Sequence, residues 1–370
     1  MVKNILIIGN SFFPENSPRA FRTTELAKEF SRLGHFVTII IPKYGTEHFM
    51  FEKDFNVEIK NLGKRKFVDI NINSGGTIIK FIKKIVRRSL ILFFDYPNIE
   101  WMFKVKKALK NEREYDLLIS IASPHSVHWG VAWALNTKNP IAKTWIADCG
   151  DPFMGTTTDT FKKLFYFKYV EKWWNKKVTY ISVPFKGAIN GYYKEFHRKI
   201  KIIPQGFNFE EIRIDADAYK PNKIPTFAYA GLLIPGARDP KPQIEYLLNL
   251  KIDFKFIFYT QSANMISSLV EKAGGKIEIR DFIPRKELLQ VMSKMDFVVN
   301  FNNGVSTQLP SKLIDYYLTK RPVLSIDSYS FDKTIIDEFL SGNYTNKYRF
   351  DNPEQYRIEN VCQKFLSLSR

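Results

Sequence analysis

The stretch FNNGVSTQLPSKLIDYYLTKRPVLSID, residues 301–327, decides how this chain is read. Phe297, Val298 and Val299 lead into it as an apolar strand. A polar loop follows and ends at Pro310, Ser311 and Lys312. Leu313, Ile314, Tyr317 and Leu318 then share one side of a short helix, and Lys320-Arg321-Pro322 turns the chain into a second apolar strand at 323–326. The polar residues of this strand–loop–helix–strand unit gather where the helix begins. Free backbone N–H groups and the positive end of the helix dipole favour a phosphate there. Lys312 adds a cation, and Asp315, one turn in, offers a carboxylate to two vicinal hydroxyls. Phosphate donors beside a diol acceptor suggest a nucleotide diphosphate. An ordinary βαβ unit with a solvated loop fits the same residues.

The rest of the chain repeats this alternation. Residues 4–8 form an apolar strand and 20–33 a helix with Leu26, Ala27, Phe30 and Leu33 at helical spacing. Gly34 caps that helix and 36–41 is the next strand. Later strands are predicted at 116–121, 143–147 and 178–183, with helices near 99–111, 126–135, 161–175 and 186–195. A second series has strands at 226–229, 254–259, 277–279, 297–300 and 323–326, with helices near 242–249, 262–273, 286–295 and 311–318. The expected fold class is α/β, with two doubly wound domains facing a cleft, ligands lying at the carboxyl ends of the strands. Residues 1–207 make the first domain, 208–225 a charged linker, and 226–350 the second domain. Residues 351–370 make a terminal helix that could pack back on the first domain.

Composition narrows the partners. A chain of 370 residues holds two domains, and 45% hydrophobic with 15% aromatic residues supplies full cores. The formal charge of +18 implies an anionic partner. Cys149 and Cys362 stand far apart and give neither a disulfide framework nor metal spacing, so a reducing compartment is expected. The apolar run at 4–8 is too short for a signal peptide, and no stretch approaches the roughly 20 apolar residues that span a bilayer. No aromatic-basic RNA motif or helix-turn-helix pattern accompanies the charge, so nucleic acid is not expected. Residues 77–94, TIIKFIKKIVRRSLILFF, interleave Lys80, Lys83, Lys84, Arg87 and Arg88 with Ile78, Phe81, Ile82 and Ile85. A basic amphipathic helix suits an anionic membrane surface. A core-packed helix with a solvated basic face is the alternative.

Six segments, in order, carry a resemblance: 12–40 (FFPENSPRAFRTTELAKEFSRLGHFVTII), 123–153 (SPHSVHWGVAWAL then WIADCGDPF), 202–208 (IIPQGFN), 229–240 (YAGLLIPGARDP), 280–299 (RDFIPRKELLQVMSKMDFVV) and 309–324 (LPSKLIDYYLTKRPVL). Together they resemble the GT-B glycosyltransferases of the family 4 type that build bacterial surface polysaccharides such as lipopolysaccharide, O-antigen or capsule. The resemblance covers nearly the whole chain. It implies two Rossmann-like domains, a nucleotide-sugar donor on the second and an acceptor on the first, with retaining, metal-independent transfer and no cofactor. By position it implies that Asp315 binds ribose, that Pro310, Ser311 and Lys312 lie at the diphosphate, and that Arg238 neutralises the leaving group with Gly231 beside it. Ile283 would meet the base. The family's first motif glutamate falls at Thr307, and its second is shortened to Asp315. Its Asp-x-Arg-Asp-Pro pattern is Asp148-Cys149-Gly150-Asp151-Pro152, without the arginine.

Four further assignments come from the first half. Asp151 at a strand end is either a turn residue or the group that orients the acceptor, with Asp148 as second choice. His125 and His128 flank a helix start and suit capping as well as a site; His48 reads as surface. Arg19 and Arg22 open a helix, where the dipole disfavours cations, so with Asn10 and Ser11 they form a candidate anion loop; surface salt bridges are the alternative. The resulting expectation is a cytoplasmic glycosyltransferase, peripheral at the inner face of the plasma membrane, that acts on a lipid-linked or growing glycan. A nucleotide-sugar epimerase of GT-B architecture and an inactive GT-B partner subunit are the rival readings.

Overall fold

In the computed structural model the chain forms two compact units, residues 1–207 with 356–370, and residues 208–355. The structure describes residues 1–15, 17–42, 44–136, 140–156, 162–211, 214, 219–302 and 312–369. The segment read from sequence as a linker, 208–225, falls in the second unit.

The first unit runs β1 (Asn4–Ile8), α1 (Pro18–Arg32), β2 (Phe36–Ile41), α2 (Thr46–Phe55), β3 (Glu58–Asn61), α3 (Thr77–Phe94), α4 (Glu100–Ala108), β4 (Tyr115–Ala122), α5 (Ser126–Ala134), β5 (Ala142–Cys149), α6 (Phe167–Lys177), β6 (Tyr180–Val183) and β7 (Ile200–Ile202). Its sheet has the order β3-β2-β1-β4-β5-β6-β7, with every recorded pairing parallel. Both faces of such a sheet are covered, so its central strand β1 (NILII) is apolar after Asn4. Ile5 and Ile7 enter one core with α1, while Leu6 and Ile8 enter another with α4 and α5.

The second unit runs β8 (Thr226–Ala230), α7 (Lys241–Leu248), β9 (Lys255–Tyr259), α8 (Ser267–Lys272), β10 (Ile277–Arg280), α9 (Arg285–Met292), β11 (Phe297–Phe301), α10 (Lys312–Leu318), β12 (Val323–Ile326) and α11 (Lys333–Leu340). Its parallel sheet has the order β10-β9-β8-β11-β12. The final helix, α12 (Ile358–Leu368), packs its Val361, Cys362 and Phe365 into the α1 side of the first unit.

In each sheet the strand order reverses once, between β1 and β4 and between β8 and β11. Loops leaving neighbouring strands there part to opposite faces and open a crevice at the carboxyl ends. The helix expected at 186–195 is instead two 3-10 turns, Lys186–Gly191 and Lys194–Lys199. Gly187 and Gly191 weaken an α-helix there. Gly191 also lies so close to Pro152 that an added Cβ would sit 2.4 Å from its Cγ.

Candidate functional site

At the crevice of the second sheet, the loop after β8 and the start of α10 are tied together. Tyr316 on α10 accepts a hydrogen bond from Ala230 N (3.1 Å) and donates one to Ala230 O (3.2 Å). This brings Lys312 beside Gly231. A Cβ at Gly231 would lie 3.4 Å from Tyr229 Oη and 3.8 Å from Lys312 Nζ, and φ of +136° there is one that L side chains rarely adopt. Lys312 Nζ stands 4.1 Å from the centre of the Tyr229 ring and has no hydrogen-bond partner among the described residues. Arg238 interacts with the same Tyr229 hydroxyl, while its Nε is buried and without a partner among the described residues. Among the described residues no carboxylate comes within ion-pair distance of either cation. Burial, and then the Arg238 charge, push Lys312 well below the ordinary lysine range. Two cations share a partly buried corner with no anion, an arrangement that a bound anion relieves. Tyr229, which the sequence reading passed over, supplies the wall against which both are held.

Asp315 lies one turn along α10 and is already engaged. Its Oδ1 accepts from Arg285 Nε (2.8 Å) and lies 2.6 Å from Nη2. Ile283, in the loop between β10 and α9, is half-buried against Met292 and its neighbours. Thr307, Pro310 and Ser311, expected at this site, lie outside the described residues.

The first unit corrects part of the anion-loop expectation. Ser17 caps α1 through Ala20 N (3.2 Å), and Pro18 begins the helix. This start sends Arg22 inward, where it is 2% exposed. It grips Asp148 with two parallel hydrogen bonds, Nε to Oδ2 (3.0 Å) and Nη2 to Oδ1 (2.9 Å), and also reaches the carbonyls of Pro204 and Ile203. Ser182 donates a third bond to Asp148 (2.6 Å). Burial alone would raise the Asp148 carboxyl, but Arg22, Arg19 and Ser182 outweigh it and hold the group low. Arg22 and Asp148, expected at an anion and at the reacting sugar, are spent on each other.

Arg19 has its guanidinium over Gly150, where an added Cβ would meet Nη2 at 2.1 Å. The arginine missing at position 150 is thus matched in space by one from α1. Asp151 is exposed, while Ser11 is buried and Asn10 half-buried. His125 is buried with Nε2 on the Asp151 carbonyl (3.0 Å). His48, read as surface, is buried and bonds the Phe13 carbonyl (2.7 Å).

The helix α3 answers the choice left by its sequence, since none of its residues is buried. Ile78 is 76% exposed and Phe81 64%, with Ile79, Ile82, Ile85, Phe93 and Phe94 also exposed. A core-packed helix is therefore excluded. A cavity beside it is lined by Ile72, Ile85, Lys84, Arg87 and Arg88. No helix among the described residues is long and apolar enough to cross a membrane.

No protein-family model matches the chain, and no curated protein matches it. Solved structures do. A Rickettsia africae glycosyltransferase is 14% identical over 99% of this chain and 98% of its own, with a TM-score of 0.60. The lipopolysaccharide outer core galactosyltransferase WaaB is 10% identical over the same shares, also at 0.60. Anabaena HepE, solved in complex with UDP-glucose, is 9% identical over 99% and 98%, at 0.56. Likeness at such identities speaks for the fold, and with the two parallel sheets and their strand orders it makes this chain a GT-B fold of two Rossmann-like domains.

Proposed function

We propose that the chain is a glycosyltransferase that takes a sugar from a nucleotide diphosphate donor and passes it to a lipid-linked or growing surface glycan. The observation that carries this is the pair Lys312 and Arg238 around Gly231, with Lys312 Nζ and Arg238 Nε buried and without a hydrogen-bond partner among the described residues, at the switch point of the second sheet. In the transfer, the bond from the anomeric carbon to the diphosphate breaks and negative charge grows on the departing phosphates. Lys312 and Arg238 are placed to stabilise that charge. Asp315, with Oδ1 on Arg285, keeps Oδ2 for the ribose diol, and the Ile283 backbone faces the base. On the first unit, exposed Asp151 orients the acceptor hydroxyl, with Asn10, Ser11 and Arg19 along the same loops. Neither a metal nor a cofactor enters this scheme, and retention at the anomeric carbon follows from the family resemblance. HepE binds UDP-glucose and WaaB is named for lipopolysaccharide core, which agrees with a nucleotide-sugar donor and a surface glycan.

Lys312→Ala and Arg238→Ala are each expected to weaken nucleoside diphosphate binding about tenfold or more, since a charge-assisted hydrogen bond contributes roughly 1.5–3 kcal/mol. Calorimetric titration reads this directly, and unchanged affinity in both folded variants would remove the phosphate site. Incubation with a panel of nucleotide sugars, with and without membrane extract, tests the reaction. Nucleotide release that needs the extract supports transfer. Sugar conversion without acceptor makes the protein an epimerase, and binding with neither reaction makes it an inactive partner.

The same lysine sets a pH dependence. Its pKa is depressed in the free protein and rises when a diphosphate neutralises the corner. Between those two values binding takes up a proton, so affinity falls as pH rises; below the free-protein value it is flat. Titrations in two buffers of different ionisation enthalpy should show net proton uptake in the wild type and none in Lys312→Met. Equal uptake in both would assign the effect to another group.

We further propose that α3 holds the enzyme on the anionic cytoplasmic face of the plasma membrane. The apolar side chains of α3 would enter the headgroup region, and Lys84, Arg87 and Arg88 would face lipid phosphates.

A further inference from the structure

We propose that His125, His128 and Cys149 form a buried site for one divalent ion of the zinc class, locking the loop after β5 to the start of α5. Two elements converge there. His125 immediately precedes α5, His128 lies in its first turn, and Cys149 ends β5. One ring nitrogen of each histidine and Cys149 Sγ all lie within 4.8 Å of one another, and all three residues are buried. His128 Nε2 is already 3.3 Å from Sγ. Around a tetrahedral zinc, nitrogen and sulfur ligands stand about 3.3–3.8 Å apart, given bond lengths near 2.1 and 2.3 Å. The donors, within 4.8 Å of one another here, would draw closer on binding.

The outer contacts are those a metal-binding imidazole needs. His125 Nε2 is 3.0 Å from the Asp151 carbonyl, which can only accept, so Nε2 carries the proton and Nδ1 the lone pair. Nδ1 is buried and has no partner among the described residues, an orphaned acceptor. His128 Nδ1 is 2.8 Å from Ser120 Oγ, which also accepts from Trp145 Nε1 (2.8 Å). With a metal on Nε2, His128 Nδ1–H donates to the same oxygen.

The donor set fixes the class of ion. Two imidazoles and a thiol suit zinc-like metals, whereas magnesium and calcium prefer oxygen ligands. Uptake is a displacement in which the Cys149 S–H bond breaks, a sulfur–metal bond forms and one proton leaves. Two neutral imidazoles and one thiolate leave one net positive charge. Glu171, whose Oε2 is buried and has no hydrogen-bond partner among the described residues, lies close enough to act on Cys149.

The test uses the full chain, stripped with chelator and given one equivalent of zinc or cobalt. The expected result is one ion per chain by elemental analysis, a thiolate-to-cobalt charge-transfer absorption in the near ultraviolet, and a rise in melting temperature with zinc. Cys149→Ser should lose the absorption, and His125→Gln should bind zinc about tenfold or more weakly. A wild-type protein that retains no ion would overturn the proposal and make the three residues a hydrogen-bonded core cluster. So would binding that survives Cys149→Ser unchanged, or cobalt bound without the charge-transfer absorption. The wild-type measurements stand even where a variant fails to fold, and none of them depends on nucleotide binding.

Discussion

Replacing Asp148 by alanine is expected to destabilise the first unit by about 3–5 kcal/mol, because it strands a buried guanidinium. Arg22 is 2% exposed, and two of its bonds end on Asp148. The carbonyls of Pro204 and Ile203 accept hydrogen bonds from it but carry no compensating charge. Removing both charges is different: Arg22→Met with Asp148→Leu should recover most of the loss, since an apolar pair of similar volume is often as stable as a buried ion pair. The pH dependence follows the depressed Asp148 carboxyl. Its contribution is present above the unfolded-state value, near 3.9, and is lost as pH falls through the lower folded-state value. Near neutrality the whole effect is therefore measurable. The chain's six tryptophans, Trp101, Trp129, Trp133, Trp145, Trp173 and Trp174, all lie in the first unit, so fluorescence during urea unfolding reports that unit alone. A single variant that unfolds at the wild-type urea concentration yet no longer transfers sugar would make Asp148 a group of the reaction instead.

This pair also shows where reading the sequence runs out. Two arginines at a helix start are locally unfavourable, and an anion there was a sound local inference. The anion for Arg22 is Asp148, 126 positions away, and no spacing rule announces such a partner. The same limit hid the His125–His128–Cys149 cluster, whose ligands come from a helix start and a strand end brought together by the pairing of β4 with β5. Local signals fared better. The largely apolar runs at 4–8, 36–41, 297–300 and 323–326 became β1, β2, β11 and β12, because a parallel strand covered by helices on both faces is predominantly apolar. The convergence of Gly231, Arg238 and Lys312 was legible only through the order of motifs. Tyr229 carries no motif and emerged from the packing of α10 on β8.

Reversing Lys83, Lys84, Arg87 and Arg88 to glutamate should release the protein from anionic vesicles with the largest change in affinity expected here. Each basic side chain near such a surface contributes about 1 kcal/mol, so losing four attractions weakens partitioning roughly a thousandfold, and the four new repulsions weaken it further. Added salt should act in the same direction, because surface charge is screened over about 8–10 Å. Neutral vesicles should bind poorly throughout, since the apolar face alone lacks the attraction that brings it to the surface. The apolar face has its own signature. Phe81→Ser with Ile82→Ser should leave the salt dependence in place and lower the affinity, because burying each such side chain contributes about 1.5–3 kcal/mol. A helix that only adsorbs through its charges would show no such loss. Nucleoside diphosphate binding should persist in every one of these variants, as α3 and the Lys312 corner belong to different units. Wild-type protein that ignores anionic vesicles at low salt would leave the exposed face of α3 without a membrane role. The +18 charge would then have to serve another anion, with an acidic glycan acceptor the first to test.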